Sequence, residues 1–156
     1  MDCKSIYVYG FGNPGRQDDG LGPMIIDKLE SENIEGITTD SNYQLNIEDA
    51  DNIAGYDFVI FVDASIDACE PFSFGRIEPS AEITFTTHSM SPESVIALCG
   101  DIHGMIPETY VLAIRGYEWE MFEGLSEKAI SNFDAAYSFL LEKIEDMLTL
   151  KKVKIN

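Results

Sequence analysis

Between the apolar stretch Ile6-Tyr7-Val8-Tyr9 and a helix-spaced apolar set lies the run Gly10-Phe11-Gly12-Asn13-Pro14-Gly15-Arg16-Gln17-Asp18-Asp19-Gly20-Leu21-Gly22. A glycine-rich turn that leaves a strand and opens a helix usually offers bare backbone N–H groups to an anion such as a phosphate. Here Asp18 and Asp19 put two carboxylates in that place. They repel an anion and suit a hard or borderline cation. The chain is thereby constrained to begin strand, acidic loop, helix, and the chemistry to seek at the loop is metal binding or proton transfer.

The same alternation continues along the chain. Leu21, Met24, Ile25 and Leu29 recur at the spacing of one helix face, Gly36 to Asp40 forms a weak second strand, and Leu45 to Ile53 a short amphipathic helix. Asp57-Phe58-Val59-Ile60-Phe61-Val62-Asp63 is almost continuously apolar, which suits a strand buried on both faces near the sheet centre. Phe72 to Ile77 and Ile83 to Thr87 are candidate strands. Ser91-Pro92-Glu93 then combines an N-cap, a proline at the first helical position and an early acid, predicting a helix through about Cys99. Thr109 to Ile114 is the last strand. Ser126 caps a long helix whose buried stripe is Ile130, Phe133, Tyr137, Leu140, Leu141, Ile144 and Leu148. Strands alternating with helices predict a mainly parallel α/β sandwich. The length of 156 residues suits one domain, placed at 1–150, with 151–156 a loose tail.

Acidic residues number 28 against 10 basic ones, and the net charge of −18 disfavours nucleic acid and anionic membranes as partners. No apolar run reaches the ~18 residues a spanning helix needs, and Met1-Asp2-Cys3-Lys4 lacks the pattern of a signal peptide, so a cytoplasmic protein is expected. Cys3, Cys69 and Cys99 are odd in number and far apart, which fits reduced thiols rather than a disulfide framework or a paired zinc site.

Ligands of such a sheet bind beyond the carboxyl ends of its strands. Three candidate metal ligands fall there: Asp19, accompanied by Asp18, after the first strand; Asp63 at the end of the central strand; and His88 after Thr86-Thr87. Two carboxylates and an imidazole suit borderline divalent ions such as Ni²⁺ or Zn²⁺ and leave positions open for a substrate ligand. His88 lies three residues before Ser91, so the positive end of the following helix favours its neutral, metal-binding form. Gly10, Gly12 and Gly15 also match G-x-G-x-x-G, and Asp40 stands where a ribose would want a carboxylate. Against that nucleotide reading, Arg16 to Gly20 separates the glycines from the helix and carries both acids. No G-x-S-x-G elbow is present, no spacing ties Cys69 or Ser65 to a base, and His103 beside Gly104 suits a helix end.

In these residues the chain resembles the hydrogenase maturation proteases, endopeptidases that trim the C-terminus of the large subunit of nickel–iron hydrogenases. The resemblance runs from Ile6 to about Leu148. It is carried by G-x-G-N followed by Asp18-Asp19-Gly20-x-Gly22, by Val62-Asp63-Ala64, by Thr87-His88 before a helix, and by the Gly116 turn ahead of Leu125-Ser126. Gly116-Tyr117-Glu118-Trp119 departs from the apolar and proline residues more usual after that glycine, and Pro71 to Ile77 diverges from the usual loop.

The resemblance implies a three-layer sandwich with a twisted, mostly parallel sheet of about five strands and helices on both faces. It implies Asp19, Asp63 and His88 as metal contacts, with Gly10, Gly12, Asn13, Asp18 and Gly20 shaping the loop. It further implies a hydrogenase large-subunit precursor as partner, arriving with nickel already inserted; zinc or cadmium could occupy the same ligands. Asp19 or Asp63 is then the candidate base toward water, with metal activation of the water as the other route. Two other readings remain beside it: a non-catalytic nickel-holding chaperone using the same trio, and a nucleotide-binding module using Gly10, Gly12 and Gly15.

Overall fold

The computed structural model describes residues 6–80 and 90–155, with side chains to residue 150. Within them five strands, β1 (Ile6–Phe11), β2 (Ile37–Asn42), β3 (Phe58–Ser65), β4 (Phe72–Arg76) and β5 (Glu108–Arg115), form one sheet in the order β2-β1-β3-β5-β4. Every neighbouring pair is parallel except β4 with β5. The apolar run at 57–63 thus supplies the central strand, as its two-sided burial requires. The candidate strand at 83–87 lies outside the described residues.

Alternation along the strands divides the core in two. Ile6, Val8, Ile60, Val62, Leu112 and Ile114 pack on one face against the helices α1 (Leu21–Ser31) and α4 (Glu127–Ile155). Tyr7, Tyr9, Val59 and Phe61 pack on the other against α2 (Asp49–Asn52) and α3 (Pro92–His103). Each large aliphatic side chain taken out of water in these layers is worth roughly 1.5–3 kcal/mol. The result is the three-layer, mostly parallel α/β architecture expected.

The helices differ from expectation in their details. In α1 Ile26 is buried while Met24 is 38% exposed, because Ile26 rather than Met24 faces Gly10 of β1. The helix expected over 45–53 shrinks to four residues: the Asp49 carboxylate accepts the amide of Asn46 at 2.8 Å and fixes the preceding residues as a turn. Ser91 caps α3 by accepting the Ser94 amide, and the helix runs past Cys99 to His103, where Gly104 stops it in a left-handed conformation at φ 75°. In α4 Ile130 is half exposed, and the buried stripe is Ala129, Ala136, Tyr137, Leu140, Ile144 and Met147. The stripe starts one residue earlier than the bulky residues indicate because two alanines lie on it. The tail expected to be loose from 151 is helical through Ile155, and no glycine or proline interrupts the segment from Glu127 onward.

Candidate active site

β1 and β3 are neighbours, but the chain leaves β1 toward β2 on one side and returns to β3 on the other. That reversal makes the carboxyl ends of β1 and β3 the crevice of the sheet. The acidic loop fills it, and three close approaches hold it there. A side chain at Gly10 would run into the carbonyl of Gly22 and the Ile26 side chain, so its absence lets β1 and α1 touch. A Cβ on Gly22 would lie 2.5 Å from the carbonyl oxygen of Val62, which brings the start of α1 against β3. Gly12, at φ 141°, lies where a Cβ would overlap the carbonyl of Asp19.

These contacts place Asp19 beside Asp63. The Asp19 carboxylate accepts the amide of Asn13 at 2.8 Å, and Asn13 Oδ1 accepts the amide of Gly15 at 2.9 Å, so the turn is folded around its own carboxylate. Asp63, half-buried and the residue after Val62 in β3, has its carboxyl pushed up from 3.8 to about 7. Burial is the main cause; the Ala64 amide works the other way, and the charge of Asp19 adds to the rise. Two carboxyl groups in one crevice are thereby made chemically unequal.

Asp18 is fully buried and faces away from this pair. It accepts the amides of Tyr117 at 2.7 Å, Glu118 at 3.0 Å and Ser126 at 2.8 Å, together with the Ser126 hydroxyl at 2.7 Å. Burial alone would raise its pKa, but those donors outweigh it and hold the carboxyl below its ordinary value. Its neighbour Gln17, at φ 45°, donates its amide to the carbonyl of Phe122 and accepts the Glu120 amide on its side chain. Sequence pattern gave no sign of Gln17, whose partners are about a hundred residues away along the chain. Gly20 packs on Pro14, where a Cβ would come within 2.8 Å of the proline Cα.

The backbone donors of the loop are spent within the chain. The amides of Gly12, Asn13, Gly15, Arg16, Gln17, Asp18 and Asp19 donate to Asn42, Asp19, Asn13, Asn13, Phe122, Glu118 and Arg16 respectively, and Pro14 has no amide hydrogen. Between Gly12 and Asp19 these amides leave no cradle for a phosphate. Asp40, the residue a ribose would need, accepts the Tyr7 hydroxyl and the Ser41 amide.

His88 lies outside the described residues, and among the described ones no three His, Cys, Asp or Glu side chains gather as they would around a metal ion. His103 is remote from the crevice and pairs with Asp51 across α3 and α2 at 2.8 Å. Tyr117 is engaged by Asn132 and Glu70, and the Trp119 ring packs on Gly116. The exposed large apolar residues of this loop are Met121 and Phe122. Cys69 and Cys99 are free thiols, and Cys3 lies outside the described residues.

No protein-family model matches the chain. A Methanocaldococcus jannaschii protein whose name provisionally assigns it as a hydrogenase maturation protease is 27% identical over 157 residues, spanning 93% of this chain and 99% of that relative. Among solved structures, the hydrogenase 2 maturation peptidase of a Thaumarchaeota archaeon superimposes with a TM-score of 0.66 at 23% identity, covering 90% of this chain and 98% of that one. The NiFe hydrogenase maturation protease HycI of Thermococcus kodakarensis gives 0.69 at 20% identity, covering 89% and 91%. The Escherichia coli hydrogenase maturating endopeptidase HybD gives 0.68 at 19%, covering 91% and 93%. In sequence over nearly its whole length, and in the course of its sheet and helices, the chain is similar to the hydrogenase maturation proteases.

Proposed function

We propose that this protein is an endopeptidase that removes a C-terminal peptide from the precursor of a nickel–iron hydrogenase large subunit after nickel has been inserted. The observation that carries the reading is the meeting of Asp19 and Asp63 at the β1/β3 crevice, in a loop whose amides are already satisfied and whose open chemistry is that of carboxylates. The full-length likeness to maturation proteases agrees with it.

Asp63, with its carboxyl near 7 in the metal-free crevice, can take a proton from an attacking water and return it to the departing amine provided nickel does not fully engage it, since a metal-bound carboxylate stays deprotonated. Asp19 keeps its carboxylate oriented by the Asn13 amide. In this reading nickel belongs to the substrate, and Asp19, Asp63 and His88 are the side chains that contact it; oxygen and imidazole donors suit that ion and would accept zinc or cadmium in its place. The contact makes cleavage conditional on metal insertion. The free thiols of Cys69 and Cys99 agree with work in the cytoplasm.

The test is incubation with a hydrogenase large-subunit precursor, nickel-loaded or nickel-free, followed by intact mass measurement. Shortening of the nickel-loaded form alone is expected. An unchanged mass with nickel retained on this chain would replace the peptidase by a nickel-holding chaperone.

A further inference from the structure

From the hydrogen bonds of the acidic loop we infer that Asp18 is a positioning residue, clamping the 117–126 segment onto residues 16–18 and so fixing the backbone that aims Asp19 at Asp63. The clamp joins parts of the chain about a hundred residues apart. Besides the four bonds to the Asp18 carboxylate, the Asp18 amide donates to the carbonyl of Glu118 at 3.0 Å, the Gln17 amide to Phe122 at 2.9 Å, the Glu120 amide to Gln17 Oε1 at 3.0 Å, and Arg16 Nε to the carbonyl of Trp119 at 3.2 Å. Gly116 permits the approach, since a Cβ there would stand 2.9 Å from both Asp18 Cβ and the Trp119 ring. Ser126, which donates twice to Asp18, also accepts the Ala129 amide at the start of α4, so the clamp is anchored to the longest helix.

On the other side, among the described residues, the Asp19 carboxylate accepts one hydrogen bond, from the Asn13 amide. Its position is therefore set from two directions: by Asn13 through its own carboxylate, and by Asp18 through the peptide that joins them. A buried carboxylate ringed by N–H and O–H donors has no isosteric substitute, because an amide side chain would turn an N–H toward donors.

The experiment uses the full chain with Asp18→Asn and, as a variant that keeps the carboxylate but displaces it, Gly116→Ala. Ala136→Gly, a buried helix-interior change far from the crevice, serves as a control of general destabilisation. Hydrogen exchange at the Asn13 amide reports on Asp19 without any substrate. Its protection is expected to fall at least about tenfold in Asp18→Asn and in Gly116→Ala, and to hold in Ala136→Gly. Retained Asn13 protection in both crevice variants, with the Tyr117 and Ser126 amides opened, would overturn the inference.

A second readout rests on the proposed peptidase reading. kcat for the nickel-loaded precursor is expected to drop by about 10–100-fold in the two crevice variants, with KM within about twofold, as for loss of a group that orients a reacting one. An equal loss in Ala136→Gly, or an unchanged kcat in both crevice variants, would also overturn it. If the wild-type chain cleaves no precursor, the peptidase reading fails alone, and Asn13 exchange still decides whether Asp18 positions Asp19.

Discussion

The Asp18 carboxylate accepts both the backbone amide and the hydroxyl of Ser126, at 2.8 and 2.7 Å, tying the loop after β1 to the first turn of α4. Removing the hydroxyl in Ser126→Ala should cost about 2–3 kcal/mol, since a charge-assisted bond and a helix-cap bond go together. Asp18→Ala leaves three amides and a hydroxyl facing an emptied space and should cost about 2–4 kcal/mol. Urea unfolding with an unchanged m-value would measure both. The pH dependence follows from the lowered carboxyl of Asp18: it binds its proton less readily folded than unfolded, so its contribution is present above the ordinary carboxylate value and is lost as pH falls through the folded one. Asp18→Asn should therefore weaken the acid-side loss of stability.

Asp63 has the opposite sign. It holds its proton up to about 7 when folded but only to about 3.8 otherwise, so between these values the folded state binds more protons and stability declines as pH rises. Asp63→Asn should flatten that decline between about pH 4 and 7. Asp19→Asn, by deleting the neighbouring charge, should lower the Asp63 carboxyl only in part, because burial is the larger cause. Carbon-detected NMR titration of the Asp63 carboxyl checks the second point, and unfolding at several pH values the first.

Gly12→Ala tests the close approach on which the loop depends. A methyl group there would meet the Asp19 carbonyl and would have to adopt a φ of 141°. Strain at such a backbone position alone is of order 1–3 kcal/mol, and the overlap adds to it. We expect a clear fall in melting temperature together with lost protection of the Asn13 amide; a variant of wild-type stability would mean that the loop can relax without consequence.

What was legible in the sequence follows the range of the interactions involved. Period-two and near-continuous apolar runs placed β1, β3 and β5, and Ser91 and Ser126 marked helix starts, because each signal is local. The meeting of Asp19 and Asp63 could be foreseen because parallel strands deliver their carboxyl ends to one edge whatever the details of packing. The length of α2 is not legible in the pattern because Asp49 spends its carboxylate on Asn46 and the Tyr9 hydroxyl, and Ile130 departs from the buried stripe because small Ala129 and Ala136 hold it. Asp18 stood out as a loop acid, but its partners at 117, 118 and 126 leave no mark in the spacing, and neither does Gln17.

Asp19→Asn and Asp63→Asn separate the two duties proposed for the crevice. If both carboxylates contact the substrate's nickel, either change should weaken binding of Ni²⁺-loaded precursor; if Asp63 also moves the proton, its change should lower kcat further than that of Asp19. A general acid–base group contributes about 10²–10⁴-fold, so a kcat deficit in Asp63→Asn of at least ~100-fold at saturating precursor is expected. The wild-type kcat/KM, which reports the free enzyme, should depend on pH with an inflection near 7, the carboxyl of Asp63 before nickel contacts it, and that inflection should vanish in Asp63→Asn. His88→Ala should weaken recognition of the nickel-loaded precursor and leave the inflection in place, because the histidine is proposed to contact the metal alone. Single-turnover cleavage, followed by mass at several pH values, distinguishes these outcomes, and an inflection that survives Asp63→Asn would move the proton transfer to another group.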